Sequence, residues 1–124
     1  MRYLLDANCV IQLLSGAYPR LTHRVADCDA GSVVVSSIAF AEVALGSAKG
    51  KPPALALLDL FIEEIPIVDF DLLAARAYAT LPFKRANFDR LLAAQALSLG
   101  LTIVTNNEAD FADVPGLKVE NWTR

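Results

Sequence analysis

The chain has 124 residues, of which 55% are hydrophobic, and 11 Lys and Arg stand against 14 Asp and Glu for a net charge of −3. This length suits one domain, residues 1–124, with a sizeable core. No run approaches the roughly 18 apolar residues that a membrane span needs, and the N-terminus does not resemble a signal peptide, so we predict a cytoplasmic protein.

The two cysteines, Cys9 and Cys28, lack the spacing of a zinc site, and the chain has one His. We expect two free, buried thiols in a reducing compartment. Zinc, haem and cysteine-nucleophile chemistry therefore lose support. The negative net charge is only a weak argument against a nucleic-acid partner, because acids that hold divalent cations would leave the remaining charge near neutral or positive.

Short apolar runs alternate with longer helical patterns, which is typical of an α/β fold with a parallel sheet and helices on both faces. The predicted strands, in chain order, are 2–5, 33–35, 65–68, 101–104 and an edge strand at 118–120. The predicted helices are 8–14, 19–26, a helix after Ser36 or Ser37, 54–64, 70–80 and 88–99. Asp69 and Asn87 are the predicted caps of the last two helices.

Four carboxylates stand where a surface acid is not expected. Asp6 ends the first strand, and Glu42 lies inside the apolar run 38–45. Asp89 begins the apolar helix 88–99, and Asp110 follows the strand 101–104. Acids at strand ends and helix starts of an α/β domain can meet in one crevice. Unpaired carboxylates do not gather in a low-dielectric site unless a cation holds them, so the pattern predicts a metal site.

Two of these acids also have an ordinary structural explanation within their own segment. Glu42 shares a helical stripe with Ile38 and Leu45, and it could reach solvent from the edge of that stripe. Asp6 could be a turn or capping residue after the first strand. These alternatives stay open for each acid taken singly.

The other two acids have comparable alternatives. Asp89 is favoured in a first helical turn by the helix dipole, and Arg85 or Arg90 could pair with it. Asp110 could lie on an exposed loop. The joint occurrence of all four acids at element junctions favours a shared site.

Oxygen ligands of this kind favour Mg²⁺, with Mn²⁺ as a substitute, over zinc. No phosphate-binding loop or dinucleotide motif is present. Thr105 and the amides of Asn106 and Asn107 could orient a metal-bound water or a phosphate. The indicated chemistry is metal-assisted hydrolysis at a phosphoryl centre.

The segments that carry these acids resemble the PIN-domain ribonucleases of the VapC type, the toxins of type II toxin–antitoxin pairs. The resembling segments are 3–8, 36–42, 88–96, 101–107, 110–111, 114–117 and 120–122. The resemblance implies a PIN-like fold with a central, mostly parallel sheet flanked by helices. It also implies a Mg²⁺-dependent endoribonuclease that cleaves RNA, often tRNA, and is inhibited by a cognate VapB antitoxin.

Three positions match the acids that bind metal and position the attacking water in that family, and they are Asp6, Glu42 and Asp89. Asp110 matches a fourth acid found in many VapC toxins, whereas other PIN domains carry it where Asn107 stands here. Ala7 replaces a hydroxyl residue that usually follows the first Asp, which removes one hydrogen bond near the metal.

Basic and apolar surfaces suggest partners. Candidates for an RNA-facing rim, with scattered solvated charges as the alternative, are Arg20, Arg24, Lys49, Lys51, Arg76, Lys84, Arg85 and Arg90. Helix 54–64 has more apolar residues than one buried face needs, so we predict that it serves homodimerisation and antitoxin docking together with the helix after Asn8. Burial of that helix on most sides is the alternative.

Two other functions remain open from the sequence. A receiver-like signalling domain also binds Mg²⁺ at strand ends, and Asp69 after Val68 could be its phosphoacceptor. Such domains carry an acid pair after the first strand, whereas this chain has the single Asp6 there. A catalytically silent PIN-like binding module is the second alternative.

Overall fold

A five-stranded sheet, parallel throughout, forms the centre of the computed structural model, which describes residues 1–82 and 87–124. Its strands are β1 (Tyr3–Leu5), β2 (Val33–Ser36), β3 (Ile67–Val68), β4 (Thr102–Val104) and β5 (Lys118–Glu120). The order across the sheet is β3-β2-β1-β4-β5. The predicted α/β fold with a mostly parallel sheet is confirmed.

Helices connect the strands and cover both faces of the sheet, as parallel pairing requires. They are α1 (Ala7–Ser15), α2 (Pro19–Ala26), α3 (Ser37–Ala48), α4 (Leu55–Glu64), α5 (Leu72–Tyr78), α6 (Phe88–Leu99) and a 3₁₀ helix at Glu108–Phe111. The three valines of β2 are all buried, which is the pattern of a strand covered on both sides. None of the helices in the described ranges is long and apolar enough to cross a membrane.

Three helix starts follow the local signals of the sequence. Asp6 is the N-cap of α1, and Asn87 caps α6 by accepting the Arg90 N–H at 2.9 Å. Ser36, rather than Ser37, caps α3, because its hydroxyl oxygen accepts the Ile38 N–H at 3.0 Å. Each cap satisfies a backbone donor that the first helical turn leaves unpaired.

The predicted cap of α5 is wrong. The helix begins at Leu72 rather than near residue 70, and its cap is Asp71, whose Oδ1 accepts the Ala74 N–H at 3.0 Å. Asp69 lies two residues too early to reach that donor. A sequence with acids at both positions does not by itself decide between them.

The later start of α5 has a cause in the tertiary structure. The carbonyl oxygens of Val68 and Asp69 both accept from the buried Gln95 amide of α6, at 3.3 and 3.0 Å. The Phe70 N–H donates to the Ser37 hydroxyl at 3.1 Å. These contacts hold residues 68–70 to α6 and α3, so the chain turns into a helix only after them.

The strand order excludes the receiver-like alternative. In the receiver order, the first strand lies between the second and the third, whereas β1 here lies between β2 and β4. Asp69 follows β3, which is an edge strand of only two residues. The proposed phosphoacceptor is therefore at the rim of the sheet, away from its centre.

The cysteines are both free thiols, as predicted, but only one is fully buried. Cys9 lies in the core, and Cys28 is partly exposed. Trp122, after β5, is 1% exposed, and its ring packs edge-on against Tyr3 with centroids 4.7 Å apart. The C-terminal segment therefore closes the core beside β1.

Candidate active site

The fold places its central crevice between β1 and β4. The chain leaves β1 toward β2 on one side of the sheet and reaches β4 on the other, so the connections diverge at this point. Ligands of open α/β sheets bind outside the carboxyl ends of the strands at such a point. Asp6 directly follows β1, and Thr105 directly follows β4.

Asp6 is held rigidly at the mouth of this crevice. It is 5% exposed, and its backbone N–H donates to the Val104 carbonyl oxygen at 3.1 Å. Its Oδ1 accepts the Cys9 N–H at 2.8 Å, and its Oδ2 accepts the Thr105 hydroxyl at 2.5 Å. Charge-assisted bonds of this kind are among the strong ones, so the orientation of the carboxylate is fixed by both neighbouring elements.

Thr105 acts differently from the prediction that it orients a metal-bound water or a phosphate. It is fully buried, donates to Asp6, and accepts the Asn107 N–H at 3.0 Å. The hydroxyl proton is donated to Asp6, and the buried oxygen accepts from the Asn107 backbone, so the group faces the protein interior. The residue after Asp6 is Ala7, so Thr105 supplies a hydroxyl partner to Asp6 from the other central strand.

Glu42 faces the other acids from the second turn of α3. The predicted stripe with Leu45 is not the buried side of this helix, because Leu45 is 58% exposed while Ala39 and Val43 are buried. Glu42 lies at the boundary, partly exposed. Burial raises the pKa of its carboxyl group, and the nearby charges of Asp89 and Asp6 raise it further.

Asp89 lies in the first turn of α6, where a helix dipole would favour its charge. That effect is worth about 0.3–1 kcal/mol, or less than about one pKa unit. The pKa of Asp89 instead rises from 3.8 to about 6, first through burial and then through the charges of Asp110 and Asp6 and a hydrogen bond with Asp110. Desolvation and carboxylate repulsion outweigh the dipole, so the helix start does not by itself explain this acid.

Arg90 does not pair with Asp89, contrary to one of the alternatives above. Its guanidinium points to Asp113, with Nη2 and Oδ2 2.5 Å apart. The other suggested partner, Arg85, lies outside the described residues. Asp89 therefore faces the carboxylates rather than the neighbouring arginine.

Asp110 is exposed, and its surroundings distinguish it from the other acids of the same turn. Its Oδ2 accepts from Asn107 Nδ2 at 2.6 Å, and its carboxyl group contacts that of Asp89. Glu108 instead binds Arg124 and Asn121. In this arrangement the Asp110 carboxyl group interacts with that of Asp89, and the Asn107 amide orients it through the hydrogen bond to Oδ2.

The four predicted acids thus interact as one electrostatic cluster, which we call the carboxylate cluster and define as Asp6, Glu42, Asp89 and Asp110. Among residues 1–82 and 87–124, however, no three Asp, Glu, His or Cys side chains converge closely enough to hold one ion as they stand. Hydrogen bonds hold Asp6 and Asp110 in place, and the carboxyl groups of Asp89 and Asp110 are in contact. The pKa shifts establish proximity rather than a closed ligand cage.

Cys9 is the only thiol beside the carboxylate cluster in the described part of the chain. Burial raises the pKa of its thiol strongly, and the adjacent Asp6 raises it further through its charge and a hydrogen bond. The thiol therefore stays protonated, and thiolates rather than thiols bind metals. The available donors are oxygens.

The predicted basic rim is only partly available. Arg90 is buried against Asp113, and Arg24 binds Glu120 at 3.2 Å while its guanidinium lies 4.7 Å from the Trp122 ring centroid. Arg24 is nevertheless exposed, and the other exposed residues of the set are Arg20, Lys49, Lys51 and Arg76. Lys84 and Arg85 lie outside the described residues.

Comparison with known proteins agrees with this architecture. The profile of the PIN domain family matches residues 3–117. A tRNA(fMet)-specific endonuclease VapC from Shigella flexneri is 30% identical, with 99% of each chain covered. The chain belongs to the PIN domain family and, within it, to the VapC type.

Two solved structures share the fold over nearly the whole length. DNA-bound VapBC from Salmonella typhimurium contains a chain that is 28% identical, with a TM-score of 0.85 and 98% of both chains covered. VapBC2 from Rickettsia felis, bound to a DNA fragment from its promoter, contains a chain that is also 28% identical, with a TM-score of 0.82 and 98% and 99% of the two chains covered.

The raised pKa of Asp89 predicts a pH dependence of stability in metal-free buffer. A carboxyl group with a raised pKa in the folded state stabilises the fold below the unfolded value of 3.8, and this contribution is lost as the pH rises through about 6. Asp89→Asn does not titrate, so its stability relative to the wild type should increase between pH 4 and pH 7. Urea midpoints at both pH values, with EDTA present, measure the difference.

Asp59→Asn is the matched control, because Asp59 is an exposed carboxylate of α4 outside the carboxylate cluster. Its urea midpoint should follow that of the wild type at both pH values. An equal pH dependence for Asp89→Asn and the wild type would contradict the proposed coupling of Asp89 to the other acids.

Proposed function

We propose that this protein is the toxin of a type II toxin–antitoxin pair, a metal-dependent endoribonuclease that cleaves tRNA or another structured RNA in the cytoplasm. The observation that carries the proposal is the carboxylate cluster at the carboxyl ends of β1 and β4, with the pKa values of Glu42 and Asp89 raised by their neighbours. The VapC relative from Shigella flexneri is a tRNA(fMet)-specific endonuclease, which supports the substrate class.

The donor set fits Mg²⁺, with Mn²⁺ as a substitute. The carboxylate cluster offers oxygens only, the thiol of Cys9 stays neutral, and hard oxygen ligands favour these cations over zinc. Raised carboxyl pKa values in a shared crevice are the signature of negative charge that lacks compensation. A divalent cation would supply that compensation, activate a water molecule and stabilise charge on the phosphoryl group.

The residues of the chain would divide the work according to their environments. Asp6, fixed by Cys9 and Thr105, would be the rigid ligand. Asp89 and Glu42 are partly exposed and would lose any bound proton when they take up their ligand roles. Asp110, supported by Asn107, would complete the site from the exposed side.

The apolar surface of α4 supports the proposed protein partners. Burial on most sides is excluded, because only Leu58 and Phe61 are buried in this helix. Four of its large apolar residues are exposed by 39–59%, and they are Leu55, Leu57, Leu60 and Ile62. We propose that this α4 patch, together with α1, serves homodimerisation and docking of a VapB-type antitoxin. The solved VapBC structures support the antitoxin as the partner.

The central prediction concerns RNA cleavage by the full chain in Mg²⁺. Asp6→Asn and Asp89→Asn should each lower the cleavage rate by more than about 100-fold, because even residues behind a metal ligand cost 10–100-fold when changed. The assay follows a labelled tRNA pool on denaturing gels, with circular dichroism to verify the fold. Asp59→Asn should cleave at the wild-type rate. Full activity of both cluster variants would rule out the proposed site.

Whether Asp110 or Asn107 is the fourth residue of the metal site can be tested by measuring the Mg²⁺ concentration that gives half-maximal cleavage. Asp110→Ala should raise it, because it removes a charged oxygen that faces Asp89. Asn107→Ala should raise it less, since Asn107 acts through its hydrogen bond to Asp110. If only the Asn107 variant changes the Mg²⁺ requirement, Asn107 rather than Asp110 is the fourth site residue.

The partner proposal predicts that light scattering of the isolated chain gives twice its mass of 13.4 kDa, and that the product of the adjacent small gene inhibits cleavage. Leu60→Lys should weaken both dimerisation and inhibition by that gene product, because it places a charge in the apolar α4 patch. Leu72→Lys, at a 63% exposed position of α5, is the control and should weaken neither. A monomeric wild type that ignores the neighbouring gene product would contradict this proposal.

A further inference from the structure

An ion pair between a buried arginine and a partly exposed aspartate lies beside the carboxylate cluster and has no role in the function proposed above. Arg90 Nη2 and Asp113 Oδ2 are 2.5 Å apart, and the Arg90 side chain is 8% exposed. The two partners are 23 positions apart in sequence. The pair therefore joins two distinct elements of the fold.

Stability alone does not account for this pair. Removing a guanidinium from water costs several kcal/mol, and buried pairs roughly break even against apolar side chains of similar volume. Within residues 1–82 and 87–124, Arg90 Nη1 is buried without a hydrogen-bond partner, which adds to the cost. A pair of this kind is better explained by the geometry that it imposes.

The geometry it imposes concerns two members of the carboxylate cluster. Arg90 follows Asp89 in the first turn of α6, and Asp113 lies three residues after Asp110, just past the 3₁₀ helix. The ion pair thus connects the helix that carries Asp89 to the turn that carries Asp110. The carboxyl groups of these two acids are in contact and repel each other when both are charged.

The 3₁₀ helix lies against α6 and β5. It is four residues long, and Phe111 is its one buried residue. Glu108 binds Asn121 at 3.0 Å and Arg124, but both contacts are made on the C-terminal segment rather than on α6. Among residues 1–82 and 87–124, the ion pair of Asp113 with Arg90 links this turn to α6 through opposite charges.

We propose that Arg90 and Asp113 are positioning residues that set the separation of Asp89 and Asp110, and thereby the affinity of the carboxylate cluster for a divalent cation. This inference rests on the proposed function. Neither residue touches the substrate in this proposal. Each acts through the acid next to it on the same element.

The test is Mn²⁺ binding to the full-length protein, measured by calorimetry and by electron paramagnetic resonance in the absence of RNA. Arg90→Met and Asp113→Asn should each raise the Kd for Mn²⁺ by about tenfold or more, the range found for residues that orient metal ligands. The two substitutions change the net charge in opposite directions. Loss of positioning weakens binding in both, whereas a purely coulombic effect would strengthen it in the first and weaken it in the second.

Three further variants complete the test. Arg90→Lys keeps the charge and can reproduce the single Nη2–Oδ2 contact, so it should restore most of the affinity. Lys118→Met and Asp59→Asn make the same charge changes at exposed positions of β5 and α4 and should leave the Kd unchanged. If Arg90→Met does not fold, the comparison is made between Asp113→Asn and Arg90→Lys. The Asp113 side chain is 31% exposed, so an amide fits at this position.

The outcomes separate this inference from the proposed function. Wild-type Mn²⁺ affinity in both variants, or shifts in opposite directions, would overturn the positioning role and leave the metal-dependent nuclease in place. Absence of Mn²⁺ binding in the wild type would overturn both.

Discussion

The two hydrogen bonds of the Asp6 carboxylate are the constraint on which the rest of the site depends. One oxygen accepts from the first turn of α1, and the other accepts from Thr105 at the end of β4. A single side chain thereby joins a helix start to the central strand pair of the sheet. Because β1 and β4 are neighbours in parallel register, the position of this carboxylate is set by the sheet itself. The other acids are arranged around a fixed point.

The topology explains why four acids from distant segments meet near that point. Helices that return the chain to the start of a parallel strand begin at the carboxyl edge of the sheet. Asp89 therefore reaches the same edge from the start of α6, and Glu42 reaches it from α3, which directly follows β2. Asp110 comes from the turn after β4. The cost of gathering these charges is visible in the raised pKa values of Glu42 and Asp89, and unfavourable electrostatics of this kind are typical of functional sites.

The fold limits this cost by exposing most of the cluster. Glu42 and Asp89 are partly exposed and Asp110 is exposed, so water screens their charges. Asp6 is buried, but both of its oxygens are hydrogen-bonded. The arrangement combines one buried, doubly hydrogen-bonded acid with three that solvent reaches.

Much of the fold and the four acids of the site could be predicted from the sequence, because the signals are local. The apolar run Val33–Val35 predicts a doubly covered strand, and Asn87 predicts the start of α6. The acids at element junctions were identifiable because parallel topology brings the carboxyl ends of the strands to one edge.

Other features were decided only by the tertiary structure, since they depend on contacts between residues far apart in the chain. Gln95 holds the carbonyl oxygens after β3, and this moves the cap of α5 from Asp69 to Asp71. Arg90 turns away from the adjacent Asp89 to a partner 23 residues on. Sequence proximity favours the nearer acid, but the direction in which a side chain leaves its helix determines which charge it meets. The sequence thus determined which residues stand at the active edge, and the packing of α6 against its neighbours decided which of them face one another.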